Sequence, residues 1–306
     1  MTERTIIITG GNSGLGYQAA LGIARAWQND TIIIASRNQQ KASVAAETII
    51  AETGNHNVHA RTLDLGSLQS VRKFAADFKE SNLPPLYALV CNAGVNPTKT
   101  SYTKEGFEST FGVNYLGHFL LANLLLGSIV AKGRIVFVSS DTHNPPKLFP
   151  FPAPSFTDIE PLAHPATDSN ALLRYPTSKL LDLMAAYSMS EKATAQTDKQ
   201  ITVNAFNPGL MTSTGLNGDS GANRVMKATM NAFSYLIGRH GSAEQSGRQL
   251  AETVTSESYD GVTGKYIDRG NIVASSPASY DKAAQAKLWQ QSLALAQVTA
   301  DETILE

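Results

Sequence analysis

Short segments rich in apolar and β-branched residues alternate along the chain with longer segments in which apolar residues recur every three or four positions. The short segments are predicted strands, because runs of apolar and β-branched residues bounded by turn residues are typical of buried strands. Seven segments have this character: TIIIT (5–9), TIIIA (31–35), NVHART (57–62), LYALVC (86–91), GRIVFVSS (133–140), ITVNAF (201–206) and GKYID (264–268). The longer segments, among them QQKASVAAETIIAE, SLQSVRKFAADFKE and LLDLMAAYSMSEKA, are predicted amphipathic helices.

This alternation predicts the fold class. Strands that are apolar on both faces are typical of parallel sheets that helices cover on both sides. Right-handed crossovers between such strands produce a doubly wound sheet. Since no repeat or Gly/Ser linker divides the chain, we predict one α/β domain over residues 1–306, a Rossmann-type fold with a parallel seven-stranded sheet.

Composition narrows the class of protein. The 306 residues are 42% hydrophobic and 17% charged, which allows a sizeable core and excludes disorder. The net charge of -1 gives no bulk attraction to nucleic acid or an anionic membrane. The single cysteine, Cys91, excludes an intrachain disulfide and is predicted to be a buried strand residue. No apolar run reaches eighteen residues, so we expect no signal peptide, no spanning helix and a cytoplasmic protein.

A glycine cluster, TGGNSGLGYQAA (9–20), separates the first strand from a predicted helix. A strand, a glycine turn and a helix start form an anion site, because free N–H groups and the positive end of the helix dipole face one point. The spacing of Gly10, Gly14 and Gly16 matches neither the P-loop nor G-x-G-x-x-G. The alternative to an anion site is a glycine turn that only reverses the direction of the chain.

The cluster resembles the TGxxxGxG turn of the short-chain dehydrogenase/reductase family. Further motifs of that family follow in order: Asp64-Leu65, CNAG (91–94), Asn114 in NYLGHF, Ser139-Ser140, YPTSK (175–179) and NPGLMT (207–212). Each motif alone is a weak signal, but all of them in this order, over nearly the whole chain, indicate the family. The run GFESTFGVNYLGHFLLANLLL most resembles the retinol-dehydrogenase and protochlorophyllide-reductase branches.

The resemblance implies a nicotinamide dinucleotide whose diphosphate lies on the glycine turn. It implies that Asp64 receives the adenine amino group, although Asp64 could instead cap the next helix. It assigns Thr212 to the nicotinamide carboxamide. The predicted cofactor contacts are Gly10, Asn12, Ser13, Gly14, Leu15, Gly16, Ser36, Arg37, Asp64, Leu65, Asn92, Ala93, Gly94, Tyr175, Lys179, Pro208, Gly209 and Thr212.

The end of the second predicted strand indicates which dinucleotide binds. An acidic residue there would bind the ribose hydroxyls of NAD, whereas an arginine would attract the 2′-phosphate of NADP. The chain has Ser36 and Arg37 and no carboxylate at this point. NADP(H) is therefore the predicted cofactor, and a solvated Arg37 without a role is the alternative.

YPTSK carries the predicted chemistry. On a helix, Tyr175 and Lys179 lie one turn apart on the same face and can reach a common space. The alternative is a surface pair without a function. Reduction of a carbonyl by a hydride needs a proton in the same event, and a nearby cation lowers the phenol pKa from its usual value of about 10. The resemblance implies that Tyr175 is the general acid or base and that Lys179 also holds the nicotinamide ribose.

Two further catalytic residues follow from the resemblance. Ser140 would hydrogen bond the substrate carbonyl, and Asn114 would hold a water that relays protons from Lys179. Ser139 should point to the opposite face, because successive strand residues alternate. His143 lies close to Ser140 in sequence but has no matching acid, and the histidines are too scattered to predict a metal site.

The chain departs from both branches in ways that bear on the substrate. The protochlorophyllide branch has a cysteine after Pro-Gly and no serine at the Ser140 place, whereas this chain has Leu210 and Ser140. We expect no N-terminal membrane anchor of the kind that is common in the retinol branch. We therefore expect an oxidoreductase acting on a carbonyl/alcohol pair. An NADP(H)-binding redox sensor without turnover is the alternative, and the intact set of four catalytic residues argues against it.

Two segments are predicted to shape the substrate site. Residues 141–170 form an insertion of about thirty residues, rich in proline, whose ends are tethered beside the site. Its Phe149, Phe151 and Phe156 either face a substrate or pack the insertion against the body. Residues 211–239 are a predicted lid. Together these segments favour a bulky apolar substrate.

The predicted oligomer is a homodimer. Many relatives pair through two long helices, which correspond here to residues 104–130 and 170–195. The insertion could obstruct such an interface.

Overall fold

The sheet contains the seven predicted strands and one short additional strand. The computed structural model describes residues 3–97, 99–145, 153–166, 171–209 and 242–305. Its strands are β1 (Thr5–Thr9), β2 (Thr31–Ser36), β3 (Val58–Thr62), β4 (Leu86–Cys91), β5 (Ile129–Val138), β6 (Thr202–Asn207), β7 (Tyr266–Asp268) and β8 (Asn271–Val273). They lie in the order β3-β2-β1-β4-β5-β6-β7-β8, and every pair is parallel except β7 with β8. The doubly wound α/β fold is therefore confirmed.

β8 is the one difference in the sheet of the described residues. It returns antiparallel to β7 through a two-residue turn in which Arg269 and Gly270 both have positive φ. This is the backbone conformation that two-residue hairpins require. β8 has three residues, all exposed, so it carries no apolar run from which a strand could be predicted.

Helices cover both faces of the sheet. Their bounds are α1 (Gly14–Ala26), α2 (Gln39–Thr53), α3 (Leu68–Lys79), α4 (Gly117–Leu126), α5 (Glu160–Ala163), α6 (Ala171–Gln196), α7 (Ala243–Thr255) and α8 (Lys282–Leu295), and a π-helical turn (Phe111–Leu116) leads directly into α4. Side-chain caps begin two of the predicted helices: Asn38 accepts from the third residue of α2, and Ser67 accepts from the third residue of α3. These caps explain why the two helices start where their apolar periodicity starts.

Two apolar layers form the core, one on each side of the sheet. Ile6 and Ile8 of β1 pack with α1, α2 and α7, whereas Ile7 packs on the other side with α3, α4, α6 and α8. Alternate residues of one strand therefore enter different layers, and both layers are buried. Cys91 is buried at the end of β4, as predicted.

The C-terminal helix α8 covers the helices that the sequence analysis assigned to a dimer interface. The Trp289 ring meets the Phe119 ring edge-on with centroids 5.0 Å apart, and the Tyr115 hydroxyl lies 2.6 Å from the Ser292 hydroxyl. The apolar face of α6 is buried in the same layer. A dimer that used the covered part of these helices would have to displace α8, and the homodimer stays a prediction.

The described part of the insertion packs against the body. Phe156 lies against the core. Of the two alternatives for this ring, it therefore packs the insertion against the body. The Asp158 carboxylate lies 2.8 Å from Lys287 Nζ on α8, and the Ala163 carbonyl accepts from Glu108 N at 2.8 Å. Phe149, Phe151 and the predicted lid lie outside the described residues.

Candidate active site

The carboxyl ends of the parallel strands share one edge of the sheet, and the order reverses between β1 and β4. In open α/β sheets, ligands bind at this switch point. The glycine turn follows β1 and Asn92, Ala93 and Gly94 follow β4, so the two predicted cofactor segments flank one crevice.

The glycine turn has the geometry that a close backbone approach requires. Gly10 and Gly14 have φ of +66° and +55°. A Cβ on Gly16 would lie 2.4 Å from Asn92 Nδ2 and 2.7 Å from the Gly10 carbonyl oxygen, so only glycine fits there. Ser13, the N-cap of α1, makes no side-chain capping bond. The turn therefore presents helix N-terminal donors to the crevice and fits the diphosphate of a dinucleotide.

Thr9 joins the two sides of the crevice. Its hydroxyl oxygen accepts from Asn92 N and Ala93 N, both at 2.9 Å, and its carbonyl accepts from Asn92 Nδ2 at 2.7 Å. Asn92 thus fixes the ends of β1 and β4 relative to each other. Gly94 follows at the same edge.

Arg37 stands exposed at the end of β2. Within the described residues it has no hydrogen bond or ion pair, whereas the buried Ser36 hydroxyl accepts from Asn38 N at 3.3 Å. Lys41, in the first turn of α2, lines a cavity of about 580 Å³ together with Asn12 and Ser13. Lys41 was not among the predicted cofactor contacts, although its position four residues after Arg37 indicates a second cation near the end of β2.

Asp64 forms a local turn after β3. Its Oδ1 accepts from Gly66 N at 3.0 Å, and its Oδ2 lies 3.7 Å from Lys104 Nζ. The cap of α3 is Ser67, so Asp64 does not cap the next helix. The following Leu65 is buried.

Pro208 and Gly209 are buried at the end of β6. The Pro208 carbonyl accepts from the Ser246 hydroxyl of α7 at 2.6 Å, and Gly209 has φ of +80°. Thr212 lies outside the described residues.

The two serines after β5 face different surroundings. The Ser139 hydroxyl is buried and donates to the Lys179 carbonyl oxygen at 2.8 Å. Ser140 is partly exposed, and its side chain lies near enough to the Tyr175 phenol to lower the pKa of that phenol. The structure therefore brings Ser140, and not Ser139, to the phenol.

Lys179 lies beneath Tyr175. Its Nζ is 5.6 Å from the centroid of the Tyr175 ring and donates to the Val138 carbonyl at 2.8 Å. The same Nζ donates at 2.9 Å to Oδ2 of Asp182, which the sequence analysis overlooked. Tyr175, Lys179 and Asp182 are spaced four and three residues apart, which places all three on one face of α6. That spacing was visible in YPTSKLLD.

Charges around the phenol oppose one another. Burial raises the pKa of Tyr175, the Lys179 ammonium lowers it, and the Asp182 and Asp141 carboxylates raise it; the net pKa is raised. The predicted lowering of the Tyr175 pKa by Lys179 is therefore outweighed in the protein alone, first by burial and then by the Asp182 and Asp141 carboxylates.

Asn114 occupies the π-helical turn and is fully buried. Its Oδ1 accepts from Val95 N at 2.7 Å, and its Nδ2 donates to the Val95 carbonyl at 3.0 Å and to Ser178 Oγ at 3.1 Å. The side chain is thus committed to protein groups, which leaves the backbone carbonyl as the atom that could hold a relay water.

That carbonyl lies 2.8 Å from Nδ1 of the buried His118, whose Nε2 lies 2.8 Å from Thr9 Oγ1. Since a carbonyl only accepts, Nδ1 carries the proton and Nε2 accepts from the hydroxyl. Burial lowers the pKa of His118 to about 3, so the ring is neutral. His118 therefore connects the end of β1, in the cofactor crevice, to the π-helical turn that holds Asn114, a contact that was not predicted from the sequence.

His143 contacts the catalytic segment through the backbone. Its Nδ1 lies 2.5 Å from the Ser140 carbonyl oxygen, and its Nε2 accepts from Ser276 N at 3.2 Å. These contacts position Ser140 and do not form a His-Ser nucleophile pair. Among the described residues, no group of three His, Cys, Asp or Glu side chains could hold a metal ion.

The fold and the motifs at its edge define the class of short-chain oxidoreductases, and comparison with known proteins agrees. The family model described as short chain dehydrogenase matches residues 4–149. Human (Homo sapiens) retinol dehydrogenase 13 is 34% identical over 299 residues, covering 95% of this chain and 84% of that protein. Danio rerio polyprenol dehydrogenase is 35% identical over 298 residues, covering 95% and 86%. The chain belongs to the short-chain dehydrogenase/reductase family, near the retinol-dehydrogenase-like branch.

Solved structures agree on the fold. A crystal structure of an uncharacterised protein from Mycobacterium paratuberculosis superposes with a TM-score of 0.71 at 28% identity, covering 97% of this chain and 94% of that one. The Pseudomonas aeruginosa RhlG/NADP complex has a TM-score of 0.66 at 20% identity, covering 88% and 95%. Within the described residues, no helix is both long and apolar enough to span a membrane.

Proposed function

We propose that this protein is an NADP(H)-dependent oxidoreductase that transfers a hydride between nicotinamide and a carbonyl/alcohol pair. The observation that carries the proposal is the convergence of Ser140, Tyr175 and Lys179 at the edge of the sheet that also holds the glycine turn. A hydride acceptor needs a proton donor beside it, and the Tyr175 phenol supplies one next to a second hydroxyl.

The residues divide the work of reduction between them. The bound dinucleotide supplies a hydride from C4 of its nicotinamide. Ser140 donates a hydrogen bond to the substrate carbonyl oxygen and orients it. Tyr175 gives its phenolic proton to that oxygen as the carbonyl carbon is reduced, and in alcohol oxidation it takes the proton back. Lys179 places a positive charge beneath the phenol, which stabilises the phenolate that remains.

Arg37 supports the choice of NADP(H). It is an exposed cation without a described partner at the end of β2, no carboxylate competes there, and Lys41 borders the adjacent cavity. Guanidinium groups bind phosphate by charge-assisted hydrogen bonds. We expect NADP(H) to bind much more tightly than NAD(H), and Arg37→Ala to narrow the gap at least tenfold, or about 1.4 kcal/mol.

Fluorescence titration with both reduced cofactors measures this gap. Arg25→Ala is the matched control, because Arg25 is an exposed arginine on the outer side of α1 that pairs with Glu52. Equal affinity of the wild type for both cofactors would refute the NADP(H) assignment.

A bulky apolar substrate is the finer part of the proposal. Two relatives are named for their action on retinol and on polyprenol, both large apolar alcohols. The insertion and the predicted lid supply the apolar residues that would border such a substrate. We propose this class of substrate and do not propose retinol itself as the substrate of this protein.

The test of function is a panel of carbonyls and alcohols with both cofactors, followed by absorbance at 340 nm. Tyr175→Phe should lower the rate at least a hundredfold while cofactor affinity holds, because only the proton donor is lost. Tyr102→Phe, which changes an exposed tyrosine, is the matched control. Tight NADPH binding without turnover on any member of the panel would favour the redox sensor instead.

A further inference from the structure

Asp182 is a buried carboxylate in direct contact with the proposed catalytic lysine. Its side chain is 3% exposed, and Oδ2 lies 2.9 Å from Lys179 Nζ, which is itself 4% exposed. The other oxygen, Oδ1, is buried and has no hydrogen-bond partner among the described residues. A half-unsatisfied buried carboxylate is costly, so its position needs an explanation beyond packing.

We infer that Asp182 is a positioning residue that holds the Lys179 ammonium and offsets its charge, so that Tyr175 stays protonated and the site favours carbonyl reduction over alcohol oxidation. The preference for reduction over oxidation rests on the proposed function, whereas the effect of Asp182 on the protonation of Tyr175 does not.

Geometry supports the positioning role. An ammonium has three donor hydrogens, and the Val138 carbonyl and the Asp182 carboxylate take two of them. One hydrogen of Lys179 is left for the cofactor ribose or a relay water. Asp182 therefore fixes the direction in which that hydrogen points.

Charge balance supports the effect on Tyr175. A lone ammonium beneath the phenol would strongly favour the phenolate, but a paired carboxylate on the same helix face offsets much of that field. The pKa of Tyr175 is raised, first by burial and then by Asp182 and Asp141, against the lowering effect of Lys179. The pKa of Asp182 is also raised by burial, which Lys179 only partly offsets.

Within the described residues, Lys179 is the one cation whose charge couples to Tyr175 or Asp182, while the Arg269 guanidinium couples to Asp141. Cys91 from β4, Tyr115 from the π-helical turn, His118 from α4 and Asp141 after β5 are the ionisable groups whose charges couple to Tyr175, Lys179 or Asp182. Burial raises the pKa of Cys91 and Tyr115 and lowers that of His118, so all three are neutral near pH 7. Lys179 is the sole positive charge in this set.

The direction of catalysis follows from the state of the phenol. In reduction the hydride goes to the carbonyl carbon and the phenol proton goes to its oxygen, so a protonated Tyr175 is the competent form. In oxidation the alcohol proton goes to the phenolate as the hydride leaves for the nicotinamide. A raised pKa therefore supplies the acid at neutral pH and withholds the base.

Ultraviolet titration of tyrosinate tests the charge effect without turnover. The signal of Tyr175 is isolated by subtracting the matching Tyr175→Phe protein from the wild type and from Asp182→Asn, with circular dichroism showing that each stays folded. We expect Asp182→Asn to lower the midpoint of Tyr175 by at least one pH unit. An unchanged or higher midpoint would overturn the inference.

If Asp182→Asn does not fold, the effect of Asp182 is measured by comparing the Tyr175 midpoint in Lys179→Met and in a double variant. Lys179→Met should raise the midpoint of Tyr175, and Lys179→Met with Asp182→Asn should return it toward the wild-type value, because the double variant removes both opposing charges. It also avoids the uncompensated buried charge that removal of one partner leaves. A double variant that titrates like Lys179→Met alone would show that Asp182 has no effect on the phenol.

Direction is tested with the holoenzyme and one carbonyl/alcohol pair. Asp182→Asn should raise the ratio of oxidation rate to reduction rate at pH 7 at least tenfold, and move the rise of oxidation with pH to lower pH. Glu108→Gln, which neutralises another buried carboxylate, is the control and should leave the ratio unchanged. Absence of turnover in both directions would contradict the proposed function, whereas the tyrosinate midpoint would still decide the role of Asp182. An unchanged ratio in an active enzyme would overturn the inference.

Discussion

Gly16→Ala should damage both the fold and the cofactor crevice. The added Cβ would lie 2.4 Å from Asn92 Nδ2 and 2.7 Å from the Gly10 carbonyl oxygen, and real Cβ atoms do not approach other atoms this closely. Asn92 would have to give up its 2.7 Å bond to the Thr9 carbonyl, or α1 would have to move away from β4.

The expected cost has two parts. Overpacking costs about 1–3 kcal/mol, and a buried donor left without its acceptor costs about 1–3 kcal/mol. We expect a loss of roughly 2–6 kcal/mol in the free energy of unfolding, and NADPH affinity lowered at least tenfold, because the N-terminus of α1 shifts.

Urea unfolding and NADPH titration measure the two effects. Gly127→Ala is the matched control: it follows α4, and its added Cβ would make ordinary contact with Ile304 Cγ2 at 3.4 Å. The reasoning is refuted if Gly16→Ala is as stable as Gly127→Ala and binds NADPH like the wild type.

Three further predictions follow from other contacts. Ser140→Ala should lower kcat at least tenfold, whereas Ser139→Ala, which removes a bond to a backbone carbonyl, should act on stability by about 1–3 kcal/mol; equal loss of kcat in both would contradict the assignment. His118 is neutral when folded and titrates near pH ~6.5 when unfolded, so its contribution to stability is present above that pH and is lost as the pH falls toward 3. The stability gap between wild type and His118→Gln should therefore shrink by up to about 1.4 kcal/mol per pH unit below pH ~6, and a constant gap would contradict this. Trp289→Ala should cost about 3–5 kcal/mol in the free energy of unfolding, because the buried indole ring of α8 packs edge-on against Phe119; urea unfolding that finds no loss would contradict this.

The fold was predictable because its signals are local and repeated. The apolar strands Ile6–Ile8 and Ile32–Ile34 are buried on both faces, so their composition alone indicates a covered parallel sheet. The glycine turn was predictable for a different reason, since few residues other than glycine adopt φ near +60° at Gly10 and Gly14. β8 could not be predicted in this way, because its three exposed residues form no apolar run. Its pairing with β7 is set by the hairpin turn at Arg269 and Gly270.

The chemistry was predictable only in part. The spacing within YPTSK places Tyr175 and Lys179 on one helix face, but the field at the phenol depends on which other charges fold against it. Asp182 shares that face and was overlooked, because motif matching stops at the lysine. His118 was overlooked because its two partners, Thr9 and the Asn114 carbonyl, are far apart in the sequence or belong to the backbone.

Transfer of a labelled hydride tests the central claim most directly. The wild type is incubated with a bulky apolar ketone and NADPH that carries deuterium in both C4 positions, and the alcohol is analysed by mass spectrometry. The account predicts an alcohol that carries one deuterium on the former carbonyl carbon with the wild type, and almost none with Tyr175→Phe. An unlabelled alcohol from the wild type, or equal labelled product from Tyr175→Phe, would contradict it.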